Sequence, residues 1–152
     1  MGEVFYSDPL VRMTLKDNVL CMRAGGELTA AHVAALQRGY TQMRQRATRF
    51  ASITVVVPGG RPGITPEARS AIQGLAREFE GLDVGAALVM TETGMKAALI
   101  RSILAGISLM ARTPTRVFSD VDEAAGWISG ALTKANVEAP SAAAIRDALA
   151  AL

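Results

Sequence analysis

The chain has 152 residues, of which 50% are hydrophobic and 20% charged, and its 16 basic and 14 acidic side chains give a net charge of +2. This is the composition of one folded domain, and it excludes a disordered chain. The small charge imbalance argues against nucleic acid as the main partner. With Cys21 as the single cysteine and His32 as the single histidine, the sequence also excludes an internal disulfide and a cysteine-rich zinc site.

The N-terminal sequence MGEVFYSDPLV has no basic start followed by an apolar core. A secretory signal peptide is therefore not predicted, and the cytoplasm is the expected location. No cofactor and no transmembrane segment are predicted.

Residues 1–10 are predicted to be a short lead-in, followed by a hairpin of two strands. Val11, Met13 and Leu15 alternate with polar residues, as in a strand with one buried face. A second apolar run begins at residue 19, after a turn at 17–18. The next helix begins at the N-cap residue Thr29. Its apolar stripe has three- and four-residue spacing and comprises Val33, Leu36, Tyr40, Met43 and Ala47.

The segment ITVVVPGGRPGITPE at 53–67 is predicted to organise the fold. Its β-branched run at 53–57 is typical of a central strand covered on both faces. A glycine loop leads from this strand to Thr65, Pro66 and Glu67, which have the pattern of an N-cap, a first helical residue and a first-turn acid. Ligands and partners of open α/β sheets gather at the carboxyl ends of central strands, so function is predicted at this loop.

The remaining elements alternate between strands and helices. A helix from Thr65 is followed by an interior strand at 84–90, a very apolar helix, a short strand at 115–118 and a helix capped by Asp120. The predicted fold is therefore α/β, with a mixed, mostly parallel sheet, an N-terminal hairpin and packed helices. The domain is predicted to span 11–132. Residues 133–152 are predicted to be a linker and a C-terminal helix, which docks either on its own chain or on a second subunit.

The very apolar helix lies between Gly94 and Arg112. Lys96 and Arg101 interrupt it, and it is too short to cross a bilayer, which takes about 20 apolar residues. Two adjacent apolar stripes cover more than the usual core-facing arc: Leu99, Ile103 and Met110 form one, and Ile100, Leu104, Ile107 and Ala111 form the other. Either the C-terminal extension covers the surplus stripe, or it is an exposed contact surface for a partner or a second copy.

The glycine loop also allows a phosphate-binding interpretation, because glycine lets backbone amides approach an anion. A Walker-type loop needs Lys and Ser or Thr after its last glycine, but Ile64 and Thr65 follow Gly63. The favoured interpretation is a turn that carries a solvated Arg61.

Candidate catalytic groups are few. Nucleophilic catalysis would require Cys21 and His32 to meet, but Cys21 lies in a predicted core strand and His32 in the first turn of a helix, where partial exposure is predicted. Glu78, Glu80 and Asp83 show no recognisable acid and base pair and are predicted to be solvated. No catalytic residue and no metal site are predicted.

Three stretches resemble bacterial STAS-type domains of the SpoIIAA-like group: MRAGGELT at 22–29, the ITVVV strand followed by GIT and a helix, and VFSDVDEAAGWI at 117–128. The resemblance runs from about Val11 to Leu132. It implies a sheet of a hairpin and parallel strands with helices packed on it. It also implies a regulatory protein-binding role, since members act as anti-sigma-factor antagonists or switch components, many without catalysis.

The best-known switch proteins of that group carry a phosphorylatable serine or threonine in an Asp-Ser type motif at the start of the helix after the central strand. The loop at 58–64 has neither aspartate nor serine, and Thr65 is the nearest hydroxyl. A helix cap is the favoured role of Thr65, and a phosphoacceptor is the alternative.

The leading hypothesis is a non-catalytic module that binds another protein, with a homodimer as one form of it. The predicted contact residues are Gly59, Gly60, Arg61, Thr65, Leu99, Ile100, Ile103, Leu104, Ile107 and Met110. The alternative is a carrier or sensor of a small apolar ligand or lipid, since the superfold resembles that of CRAL-TRIO lipid carriers and the apolar helix could line a pocket. An enzyme is the third and least favoured hypothesis.

Overall fold

The computed structural model of the chain describes residues 3–58, 61, 63–91, 93–111 and 113–152. The side chains of 104 and 107–111 lie outside this description. The strands are β1 (Val4–Ser7), β2 (Val11–Lys16), β3 (Val19–Ala24), β4 (Glu27–Leu28), β5 (Phe50–Val56), β6 (Gly63–Ile64), β7 (Asp83–Val89) and β8 (Thr115–Phe118). The helices are α1 (Ala30–Arg46), α2 (Pro66–Glu78), α3 (Met95–Ala111), α4 (Val121–Lys134) and α5 (Ala142–Ala150).

Six strands form the main sheet in the order β1-β2-β3-β5-β7-β8. The pairs from β1 to β3 are antiparallel, and the pairs from β3 to β8 are parallel. The predicted fold class is confirmed, as are the hairpin at 11–24 and the interior positions of β5 and β7. The turn between β2 and β3 places Asp17 at a φ of 53°, a left-handed conformation that Asp tolerates better than most residues.

Three strands are absent from the predicted order of elements. β1 extends the hairpin at the sheet edge, within the segment predicted to be a lead-in. β4 and β6 form a separate two-stranded parallel pair, in which Leu28 is opposite Ile64. Through this pairing, the end of the glycine loop is hydrogen-bonded to the segment that precedes α1.

The two faces of the sheet carry different helices. On one face, Val19, Cys21 and Ile53 belong to a buried cluster with Ile128 of α4 and Ile145 of α5. On the other face, alternate residues of the same strands pack under α1, α2 and α3; they include Leu20, Met22, Phe50 and Leu88. We call these the α4–α5 face and the α1–α3 face.

The C-terminal helix docks on its own chain. Ile145, Leu149 and Leu152 are buried in the cluster of the α4–α5 face, and a guanidinium nitrogen of Arg12 donates to the backbone oxygen of Leu152. Because α5 packs on α4, β2 and β3, it does not cover α3. The interpretation in which the C-terminal extension covers the surplus apolar stripe is therefore wrong.

A polar network at the start of α1 joins the N-terminal segment to the helix. The Nδ1 atom of His32 accepts from the backbone N–H of Thr29 at 3.0 Å, so the other ring nitrogen carries the proton and donates to Asp8 at 2.8 Å. His32 is 2% exposed, so the predicted partial exposure is wrong. His32 stabilises the start of α1, because its side chain accepts a hydrogen bond from the backbone N–H of the N-cap residue Thr29.

Candidate functional site

A pocket of about 260 Å³ lies between the sheet and the helices of the α1–α3 face. Its floor is formed by residues of four strands whose side chains point to the α1–α3 face. They include Leu20, Met22, Ser52, Thr54, Val56, Ala86, Leu88 and Thr115. Its roof is formed by residues of α1, α2 and α3 together with Phe79, which follows α2: Leu36, Tyr40, Ile72, Leu75, Ala76, Phe79, Ile100 and Ile103. Most of this lining is apolar.

The apolar helix α3 contributes two of its predicted contact residues to the pocket. Ile100 is 9% exposed and packs with Leu88, and Ile103 is half-buried beside it. Leu99 is 49% exposed and Met95 is 90% exposed on the outer side of the helix. The side chains of Leu104, Ile107 and Met110 lie outside the described residues.

The end of the glycine loop borders the same pocket. Gly63 and Ile64 line it, and α3 packs against the strand that they form. The N-cap prediction for Thr65 is confirmed, since its hydroxyl accepts from the backbone N–H of Ala68 at 3.1 Å. Arg61 is exposed. The predicted contacts at Gly59 and Gly60 lie outside the described residues, and phosphorylation of Thr65 stays a prediction.

The polar groups of the pocket concentrate at its other end. The Tyr40 hydroxyl donates to Oδ2 of Asp83 at 3.3 Å, and the side chain of Ser52 hydrogen-bonds to the same phenol. Burial raises the pKa of Asp83 to about 7, despite the hydrogen bonds from Gly85 and Tyr40. Burial also raises the pKa of the Tyr40 phenol. Asp83 is half-buried and lines the pocket, so the prediction that it is a solvated surface charge is wrong.

A close approach of helix and sheet fixes the position of Tyr40. A Cβ atom at the preceding residue, Gly39, would lie 2.7 Å from Cδ1 of Leu20. The absence of a side chain at Gly39 lets α1 lie directly on β3. The Tyr40 ring then packs on Phe50 and Phe79, at centroid distances of 4.9 and 5.4 Å.

An irregularity in the sheet determines where Asp83 lies. Phe50 pairs with Asp83, but Ser52 pairs with Ala86, so the register of β5 and β7 shifts between these pairs. Two residues of β7, at 84–85, therefore lie opposite one residue of β5. This is the arrangement of a β-bulge, which redirects the side chains next to it.

The bulge places two consecutive side chains on one face. Val84 packs against the cluster of the α4–α5 face, and a Cβ atom at Gly85 would lie 3.2 Å from the Trp127 ring on that same side. Strict alternation back from Ala86, which lines the pocket, would put Asp83 on the α4–α5 face. The bulge reverses this and turns the Asp83 carboxylate into the pocket.

The candidate catalytic pair does not come together. Cys21 points to the α4–α5 face, as predicted for a core residue, whereas His32 lies on α1 over the opposite face. Burial raises the pKa of the Cys21 thiol to about 12, so it is a poor nucleophile at neutral pH. Within the described ranges, no three His, Cys, Asp or Glu side chains are placed to hold a metal ion.

None of the helices in the described part of the chain has both the length and the apolarity needed to cross a membrane.

The order, direction and helix packing of these strands make a SpoIIAA-like fold, which confirms the resemblance at the level of fold. A solved structure that resembles it is that of an uncharacterized protein of the DUF3478 family from Shewanella loihica, described as having a SpoIIAA-like fold. The TM-score is 0.57 at 12% sequence identity, and the match covers 82% of this chain and 98% of the other. No family model matches the sequence, and no curated protein matches it.

Proposed function

We propose that this chain is a non-catalytic binding module whose pocket holds a small, predominantly apolar ligand. The observation that carries the proposal is the pocket itself: it lies between the sheet and three helices, its lining is mainly apolar, and its polar groups gather at one end. Sites for small molecules have this composition, in which apolar walls supply affinity and a few polar groups fix orientation.

The volume limits the size of the ligand. An engineered apolar cavity of 150 Å³ holds one benzene molecule, so 260 Å³ corresponds by proportion to about ten non-hydrogen atoms. Along β5, the floor runs from Ser52 to Val56, which is about 13 Å at the usual rise of a strand. These dimensions favour a compact ligand or a single short chain over a two-chain lipid.

The pocket gives two of the apolar side chains of α3 a place in the proposed site. Ile100 and Ile103 lie on adjacent stripes of that helix, and both line the pocket. A ligand in the pocket would contact both side chains, and for this reason we favour the small-ligand hypothesis over the protein-binding one.

A substitution that fills the pocket tests this function. Ala76 of α2 lines the pocket, and Ala76→Phe places a ring in the space that a ligand needs. With 1-octanol as the probe in isothermal titration calorimetry, we expect one site per chain in the wild type and at least a tenfold loss of affinity in Ala76→Phe.

The matched control is Ala34→Phe, which adds the same ring to an exposed alanine of α1. This variant should bind 1-octanol like the wild type. Equal binding by both variants and the wild type would contradict the proposed site, and so would the absence of a saturable signal in wild-type protein with a cooperative thermal transition.

A protein partner on the outer side of α3 is the second candidate. The observation that favours it is the exposure of two adjacent large apolar side chains, Met95 at 90% and Leu99 at 49%. If a second copy is this partner, wild-type protein should sediment as a dimer and Leu99→Asp as a monomer. A monomeric wild type at high concentration would argue against self-association.

A further inference from the structure

Asp83 places an ionisable carboxyl group in the pocket, and the inference drawn from it rests on the proposed function. Among the described residues that line the pocket, Asp83 is the one acid, and Lys, Arg and His are absent. A carboxylate that loses water without gaining a cation is costly to bury. Ionisable side chains that are buried without a partner of opposite charge are concentrated at functional sites.

The carboxylate retains unused acceptor capacity. One oxygen accepts from the Gly85 N–H at 3.2 Å and the other from the Tyr40 hydroxyl at 3.3 Å, and both are long for such bonds. An ionised carboxylate offers about four lone-pair sites, so roughly two remain for a ligand. The hydroxyls of Tyr40 and Ser52 line the same end and add acceptor oxygens.

The wall next to Asp83 suits a cation. The rings of Tyr40 and Phe79 line the pocket and lie edge to face. The Phe79 ring already carries one cation, because the Arg44 guanidinium lies 4.7 Å from its centroid. Aromatic faces attract ammonium groups, and more strongly where water is excluded.

Among the residues that the structure describes, the nearby arginines of α1 and β8 have partners other than Asp83. Arg44 of α1 has Glu78 of α2 as its ion-pair partner, at 3.8 Å. Arg116 of β8 lies over the Phe118 ring, which belongs to the cluster of the α4–α5 face. The group that faces Asp83 from α1 is the neutral Tyr40 phenol.

We propose that the pocket selects small apolar amines, with the ammonium on the Asp83 carboxylate and the apolar body directed along the floor toward Ile100 and Ile103. An ammonium supplies both the missing positive charge and the donors that the free lone pairs accept. A ligand carboxylate would instead face a like charge in a site that lacks a base among its described lining residues.

Three probes of similar size test this selectivity: 1-octylamine, 1-octanol and octanoate, titrated calorimetrically at pH 8. We expect the amine to bind at least tenfold more tightly than the alcohol, and octanoate to bind most weakly. An alkylammonium stays charged throughout, as lysine does with its pKa near 10.4. Lowering the pH to 5.5 protonates Asp83 and should remove the advantage of the amine over 1-octanol.

Asp83→Asn keeps the size of the side chain and removes its charge. It should bind 1-octylamine no more tightly than 1-octanol, at either pH. Tight octanoate binding, or an amine preference that survives in Asp83→Asn, would overturn the inference on selectivity alone. If Ala76→Phe and the wild type bind all three probes alike, the pocket itself is not the site, and the proposed function fails with it.

Discussion

Replacing Ile145 with Asp is expected to unfold the protein or to lower its free energy of unfolding by more than about 4 kcal/mol. Ile145 is fully buried between α5 and the sheet, in the cluster that contains Cys21 and Ile128. The substitution removes a buried side chain, which by itself costs about 2 to 5 kcal/mol, and adds a carboxylate that lacks a cation. Urea denaturation followed by circular dichroism measures the loss.

The matched control is Ala143→Asp, which introduces the same residue at an exposed position of the same helix. Ala143 lies in the first turn of α5, where an acidic side chain is compatible with the helix dipole. Its free energy of unfolding should stay within about 0.5 kcal/mol of the wild type. A stable Ile145→Asp variant would show that α5 does not dock on its own chain as described.

Asp83→Asn is expected to stabilise the protein at pH 8, by about 2 to 4 kcal/mol. The pKa of Asp83 is about 7 in the folded chain, above the value of about 3.9 for an unfolded aspartate. Between these values the folded protein binds more protons than the unfolded one, so wild-type stability falls as pH rises through this window. Asparagine does not ionise, and the variant should not show that fall.

Denaturant titrations of both proteins from pH 4 to pH 8 measure the difference. The two curves should lie close together near pH 4 and separate as the pH approaches 7. Parallel curves would mean that folding does not raise the pKa of Asp83. A variant that is less stable at pH 8 would mean that the carboxylate contributes favourably to folding, and in either case its burial would need no functional reason.

Much of the fold follows from local patterns in the sequence. The β-branched run of β5 marked an interior strand, and Thr65 and Asp120 were identified as helix caps because each precedes a residue pattern typical of a first turn. The helical face at Ile145, Leu149 and Leu152 predicted a docked helix. The sequence pattern left open what the helix docks against, because that depends on packing between distant elements.

The missed features depend on pairing between distant residues. β1 was missed because a short segment with Pro9 just after it has little strand signal of its own. β4 and β6 contain two residues each and gain their structure only by pairing with each other. The burial of His32 was missed because it depends on a hydrogen bond to Asp8, which lies 24 positions away in the sequence.

The candidate site was only partly predictable. The loop after β5 and the apolar helix were singled out, and Ile64, Ile100 and Ile103 line the pocket that they border. Asp83 was assigned to the solvent because it follows a helix end that carries other charges. The one local signal was Gly85 within an apolar strand, since an isolated glycine in a strand suggests a bulge.

The most direct test of the central claim is to observe where a small apolar probe contacts the protein. Intermolecular nuclear Overhauser effects between 1-octanol and isoleucine methyl groups can be measured in protein labelled at those methyls. We predict contacts to Ile72, Ile100 and Ile103, which line the pocket, and none to Ile128 and Ile145, which lie on the opposite face. Contacts to Ile128 and Ile145, or to none of these five residues at saturating probe, would contradict a ligand site between the sheet and α1–α3.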